Sequence, residues 1–131
     1  MAAATTKSNA LQALLGAKLD AEVSVPIKRL GVNFRIKPLN GEALERARLE
    51  CTVGDSKGGK TVNESQLNAT LIAKSCIEPN FADRSLIDHY GAEDAADCVN
   101  KALLAGEIGK LNLAVLEASG FGDDGDTDFP N

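Results

Sequence analysis

The sequence predicts an α+β domain dominated by helix, in which an N-terminal β-hairpin is followed by about four packed helices. Three patterns carry this reading. Apolar and polar residues alternate between Val23 and Ile36, the period of half-buried strands. From Asn40 almost to the end, apolar residues recur at three- and four-residue spacing, the period of helices. No internal repeat is present, nor the alternating strand and helix patterns from which a parallel sheet is built.

In chain order, Leu11, Leu14, Leu15 and Leu19 follow i, i+3, i+4, i+8 spacing, which predicts a short amphipathic helix from about Ser8, its expected cap, to Leu19. A helix of this length is marginal in water, so its stripe should dock on the body or on a partner. Val23, Val25 and Ile27 and then Val32, Phe34 and Ile36 predict the two hairpin strands, with the turn near Gly31. Pro26 and Pro38 suit the edge of a sheet of two or three strands, because proline cannot donate to a ladder. Asn40 is placed to cap a helix that carries Leu44, Ala47 and Cys51 on one face, with Glu42 and Glu45 near its positive end.

Gly54 to Lys60 has loop composition, and Leu67, Leu71, Ile72 and Cys76 then line a helix that Pro79 stops. Asp83 starts a short helix with Leu86 and Ile87, closed by Gly91. Ala92, Ala95, Ala96, Val99 and Leu103 mark the next helix, and Ile108, Leu111, Val115 and Ala118 the last. Gly120 and Phe121 have the form of a helix-ending cap with its apolar contact. Residues 1–22 thus form an N-terminal extension, 23–121 a single domain and 122–131 an acidic flexible tail.

Composition excludes several functions. The chain has 131 residues, 44% apolar and 25% charged, so a second full domain does not fit. A core of this size buries roughly two-thirds of the unfolded surface, so folding requires neither a metal nor disulfides. The net charge is −5, but Asp123, Asp124, Asp126 and Asp128 supply four of those charges, leaving 14 bases against 15 acids, or −1, elsewhere. A near-neutral body gives phosphate backbones nothing to hold, so no nucleic-acid partner is expected. Aromatic residues are only 4%, too few for stacking platforms. Cys51, Cys76 and Cys98, an odd number without metal-ligand spacing, suit a reducing cytoplasm. Gln12, Gly16 and Lys18 interrupt the first leucines, so neither a secretion signal nor a membrane partner is expected.

The sharpest motif is Gly54-Asp55-Ser56-Lys57-Gly58-Gly59-Lys60-Thr61, which satisfies the P-loop pattern GxxxxGK[ST]. Such a loop cradles phosphate only where a buried strand enters it and a helix leaves it. Glu45 to Glu50 upstream reads as exposed helix, and no later strand ends in an Asp that would hold magnesium. A solvated Gly/Lys hairpin between helices is therefore favoured over a small nucleotide-binding protein. Asp124-Gly125-Asp126-Thr127-Asp128 imitates half a calcium loop, but Phe129 stands where that loop needs Gly, and no bidentate Glu follows. His89, the one histidine, has no nucleophile motif beside it, and the cysteines fall at core spacing. No catalytic, cofactor-binding or metal-binding residue is assigned, and the chain is not read as an enzyme.

Cys76-Ile77-Glu78-Pro79-Asn80-Phe81 is followed by Leu86, by Tyr90-Gly91, by Leu103-Leu104-Ala105-Gly106-Glu107-Ile108 and by Gly120-Phe121. With Phe34-Arg35-Ile36-Lys37-Pro38-Leu39, Arg48-Leu49-Glu50-Cys51-Thr52 and the leucine-rich N-terminal helix, this order resembles the XkdN-like phage tail assembly chaperones over roughly residues 10 to 122. In that family a variable Lys/Gly-rich stretch follows the Cys-Thr pair, which supports the loop reading of the P-loop match. The resemblance implies a non-catalytic helper in the cytoplasm of the bacterial host, of phage or prophage origin. It would bind the tape measure protein during tail assembly and be absent from the mature virion, with the tail tube protein and a second copy of the chain as further partners to test. A structural tail adaptor retained in the virion stays open as the alternative beside the nucleotide reading. No family contact residue is transferred. Cys76, Pro79, Phe81, Tyr90, Gly91, Gly106, Gly120 and Phe121 are read as helix junctions and packing, and the partner-binding candidates are Leu11, Leu14, Leu15, Leu19, Asp123, Asp124, Asp126 and Asp128.

Overall fold

The computed structural model describes residues 2–17, 21–54 and 56–121. Its elements are α1 (Ala2–Gly16), β1 (Val23–Ile27), β2 (Val32–Ile36), α2 (Gly41–Glu50), β3 (Thr52–Gly54), β4 (Lys60–Val62), α3 (Glu64–Ser75), β5 (Cys76–Glu78), α4 (Arg84–Tyr90), α5 (Ala95–Ala102) and α6 (Ala105–Ala118). The fold is α+β and mainly helical, with five helices after the hairpin where about four are expected.

β1 and β2 pair antiparallel from Val23 opposite Ile36 to Ile27 opposite Val32. Gly31 closes the turn at φ 69°, a conformation that costs glycine nothing. Val25, Ile27, Phe34 and Ile36 face the core, while Val23 and Val32 remain exposed at the two ends. Pro26 sits on the edge strand, and its carbonyl accepts a hydrogen bond from Lys110 Nζ at 2.6 Å. A strand residue's N–H and C=O point to the same side, so the missing donor of Pro26 faces away from β2 and no ladder bond is lost.

Four sequence expectations are corrected. The first helix begins at Ala2, with Ser8 inside it instead of capping it, because Ala2, Ala3 and Ala4 are the strongest helix formers. It ends at Gly16, and Leu19 lies outside the described residues. Cys76 is not helical. The Ser75 carbonyl accepts from Lys37 N at 2.9 Å and the Ser75 hydroxyl donates to the Lys37 carbonyl, which turns the chain onto β2. Cys76 thereby opens β5, the third strand of the sheet, antiparallel to β2. Glu78, preceding Pro79, is biased towards the same extended form; the Glu78–Pro79 peptide bond is cis. Ala92 belongs to a turn, its N–H spent on Ile87 O at 2.9 Å, and α5 starts three residues later behind Asp94.

Helix starts follow side-chain caps. Asn40 Oδ1 accepts from Ala43 N at 2.9 Å, Asn63 Oδ1 from Gln66 N at 3.1 Å, Asp83 Oδ1 from Ser85 N at 2.9 Å and Asp94 Oδ1 from Asp97 N at 2.8 Å. α3 is the hub, packed against α2, α5 and α6. One side of it, with Ala69 and Ile72, meets the inner face of the sheet, Phe81, and the buried faces of α5 and α6. The other, with Leu67 and Leu71, meets Ala47 and Cys51 of α2. Leu39 touches both clusters and marks their junction.

Candidate functional site

The two clusters do not close over one another completely. Between the lead-in to α2, the flank of α3 and the C-terminal half of α6 lies an apolar groove. Its deeper lobe, about 80 Å³, is lined by Leu39, Leu44, Leu71, Val115, Leu116 and Phe121 together with Asn40, Gly41 and Ser119. A wider shelf of about 290 Å³ shares Leu44, Leu71, Leu116 and Phe121 with it and extends along Leu67, Asn68, Asn112, Arg48 and Glu64.

Local chemistry fixes each wall. Leu39 N donates to Ser119 Oγ at 2.9 Å, pinning the start of α2 to the end of α6 across 80 residues of sequence. Gly120, at φ 97°, reverses the chain after α6. Its N–H reaches Glu117 O at 3.2 Å, while Phe121 N reaches Leu116 O at 2.9 Å. These two bonds satisfy two of the carbonyls that the helix end leaves free, those of Glu117 and Leu116, and bring Phe121 beside Leu116. The backbone of Phe121 thus serves as a cap, but its side chain is 58% exposed at the lip of the groove. Asn112 Nδ2 donates to Asn68 Oδ1 at 3.3 Å along the shelf, and Asn112 Oδ1 is buried with no donor among the described residues.

The partner-binding candidates fare unequally. Leu11, Leu14 and Leu15 share one face of α1 and are 58%, 77% and 75% exposed, so the stripe is uncovered. Leu19, Asp123, Asp124, Asp126 and Asp128 lie outside the described residues. The groove itself was missed, because Leu44 and Leu71 have the spacing of core residues and no signal in the sequence joins them to Leu39, Leu116 and Phe121.

The junction residues are distributed as follows. Cys76 opens β5, Pro79 follows it, and Phe81 is buried with its ring edge-on to Phe34, centroids 6.1 Å apart. Gly91 ends α4 in the left-handed conformation at φ 62°. Tyr90 is partly exposed and meets the His89 ring edge-on at 4.7 Å. Gly106 lies in the first turn of α6, with open space where a Cβ would be.

The P-loop match has the wrong backbone. Gly54 and Lys60 are cross-strand partners in the two-stranded antiparallel sheet of β3 and β4, and Lys60 and Thr61 belong to a strand. α3 starts only at Glu64, behind its own cap Asn63. The helix N-terminus that would meet phosphate is therefore displaced from the Lys-Thr pair. Asp55 lies outside the described residues.

All three cysteines are buried and unpaired. Burial pushes the Cys76 thiol up to about 12, and burial followed by the neighbouring Asp97 charge raises that of Cys98, so both favour the unreactive thiol form. Among the described residues no group of three or more His, Cys, Asp or Glu is placed to hold a metal ion, and no helix is long and apolar enough to cross a membrane. The apolar groove and the exposed leucine face of α1 suit recognition of another chain.

Comparisons with known proteins give the family and the fold. A family model described as phage XkdN-like tail assembly chaperone protein matches residues 11–129, a span that includes both the leucine stripe and the acidic run. The crystal structure of a protein called YqbN is similar in fold, with a TM-score of 0.63 at 21% identity over 81% of this chain and 91% of that one. No curated protein sequence matches the chain.

Proposed function

The chain belongs to the XkdN-like phage tail assembly chaperones, and on that premise we propose that its groove receives an amphipathic helical segment of the tape measure protein. A tape measure protein is a long, helix-rich chain whose apolar stripes need cover until tube subunits polymerise round it. The observation that carries the reading is the open apolar lip formed by Leu39, Leu44, Leu116 and the exposed Phe121 ring. Helix-in-groove recognition uses such a surface, with anchors at i, i+3 or i+4 entering adjacent lobes.

The energetics suit a temporary hold. Each fully buried leucine contributes about 1.5–3 kcal/mol. Two or three anchors supply about 3–9 kcal/mol, the same order as the association cost of about 4–15 kcal/mol, so the groove alone gives no more than a weak hold that an assembling tube can reverse. On this reading the protein is a non-catalytic helper in the host cytoplasm, released before the virion is complete, and contact with the tail tube protein would arise at the hand-over.

The test is capture of the purified tape measure protein of the same phage, scored by binding and by retention in the soluble fraction. Leu116→Asp places a charge in the groove and is expected to abolish both, with its fold checked by circular dichroism. Undiminished capture by a folded Leu116→Asp protein rejects the groove. Detection of the chain in purified virions by mass spectrometry would instead favour a retained structural adaptor.

A further inference from the structure

We propose that two copies of this chain pair through the outer faces of α6, running antiparallel about a two-fold axis. This surface lies outside the groove, since Gly106, Gly109, Leu113 and Glu117 line neither of its lobes. The pairing therefore goes beyond capture of the tape measure protein and stands without it.

The solvent side of a helix ordinarily carries charged and polar residues. That of α6 carries Ala105, Gly106, Gly109 and Leu113, all exposed, with Lys110 and Glu117 as its only charges. Leu113 is 58% exposed. Glycine inside a helix is destabilising relative to alanine, yet open space surrounds Gly106 and Gly109 where a Cβ would be, so no atom of their own chain requires them. What such glycines permit is the close approach of a second backbone. Lys110 does not obstruct that approach, because its Nζ is drawn aside to the Pro26 carbonyl at 2.6 Å.

Charge identifies the second backbone. Glu117 sits in the last turn of α6, at the negative end of its own helix, and forms no ion pair among the described residues. At the other end, α6 starts behind Leu104, which has no side-chain acceptor, whereas α2 to α5 start behind Asn or Asp. Glu107 receives the Leu104 N–H, but those of Ala105 and Gly106 have no acceptor among the described residues. An unpaired carboxylate at the negative end and an uncapped positive end of the same helix complement one another when two such helices lie antiparallel.

Shape gives the same register. Gly109 and Leu113 each stand two residues from Leu111, and Ala105 and Glu117 each stand six. With the axis at the level of Leu111, Leu113 of each copy lies against the partner's Gly109, while Glu117 reaches the first turn of the partner's α6. One patch meeting itself is what two-fold symmetry requires. α6 has 14 residues, about 21 Å of helix, so the contact stays below ~1,200 Å² and the pair is of the transient, concentration-dependent class.

The test is sedimentation equilibrium of the full chain at up to hundred-micromolar concentration, with no tape measure protein present. A monomer–dimer equilibrium is expected. Gly109→Leu fills the seat, so it should abolish the dimer while leaving the fold at least as stable in thermal circular dichroism. Gly109→Leu combined with Leu113→Gly should restore the dimer, because the same volumes then meet in reverse. Leu113→Ser, at an exposed position, should weaken association by about tenfold or more and serves if the exchange variant does not fold. Glu117→Gln should weaken association several-fold, and raising salt from about 0.1 M to about 1 M should weaken the wild type more than this variant. A wild type that stays monomeric, a dimer that survives Gly109→Leu or a folded exchange variant that stays monomeric each overturns the pairing. Association indifferent to Glu117→Gln overturns the antiparallel register.

Discussion

Arg29, in the hairpin turn, grips Glu107, in the first turn of α6, through two parallel bonds: Nε to Oε2 and Nη2 to Oε1, both 2.8 Å. The fork ties the sheet to the helix that forms one groove wall. Glu107 Oε1 also accepts from Leu104 N at 2.9 Å, satisfying a free donor at the helix start. The Arg29 guanidinium first, then the Leu104 N–H, hold the Glu107 carboxyl down to about 2. A carboxyl lowered on folding stabilises fully above its ordinary value, and this contribution is lost as the pH falls from there towards about 2. Glu107→Gln still accepts from Leu104 but loses the charge. Urea unfolding should show wild type more stable than this variant near neutral pH, with the gap closing through that acid window. A gap independent of pH would refute the linkage.

Phe34 and Phe81 join the sheet to the turn after β5 by an edge-on ring contact within the larger cluster. Phe81 is 2% exposed, so truncation opens a cavity that rigid neighbours fill only partly. Phe81→Ala should cost about 3–5 kcal/mol in chemical denaturation. A loss below about 1 kcal/mol would mean that the turn can collapse onto Phe34.

How far the sequence discloses this molecule depends on the range of the interactions. The hairpin is legible because alternation is local: Val25, Ile27, Phe34 and Ile36 carry their burial in their spacing. Caps at Asn40, Asp83, Gly91 and Gly120 are legible because a helix end needs a specific donor or backbone angle within a few residues. β5 is not, because Cys76 continues the four-residue step from Ile72 and only the contact between Ser75 and Lys37, 38 positions apart, turns it aside. The groove is hidden for the same reason. It exists where Leu39 meets Ser119, and Phe121, correctly read as a helix cap, has a side chain that its backbone role leaves free for a partner.

The Gly54 to Thr61 match gives a sharp negative test. Since Lys60 is an exposed strand residue paired across from Gly54, Lys60→Ala should change stability by no more than about 0.5 kcal/mol. Titration of ATP or GTP into the wild type should give no saturable heat. Saturable binding that vanishes in Lys60→Ala would revive the nucleotide reading.

The last prediction separates what Phe121 and the following acids do for capture of the tape measure protein. An exposed aromatic ring at a groove lip works through packing once the partner has arrived, so Phe121→Ala should accelerate dissociation and weaken binding by about 1–2 kcal/mol, roughly tenfold. It should leave folding nearly intact, because the Schellman-type bonds at Gly120 and Phe121 use only backbone atoms. The aspartates that follow Phe121 in the sequence would act earlier, by steering a basic segment at long range. Replacing Asp123, Asp124, Asp126 and Asp128 by Asn should therefore slow association at low salt, flatten its salt dependence and leave dissociation unchanged. The Asn variant is cleaner than removing residues 122–131, since truncation would put a new terminal carboxylate at Phe121 and partly replace the charge removed. Stopped-flow binding at several salt concentrations distinguishes the two effects. An association rate that is identical for wild type and the fourfold Asn variant rejects steering by these aspartates.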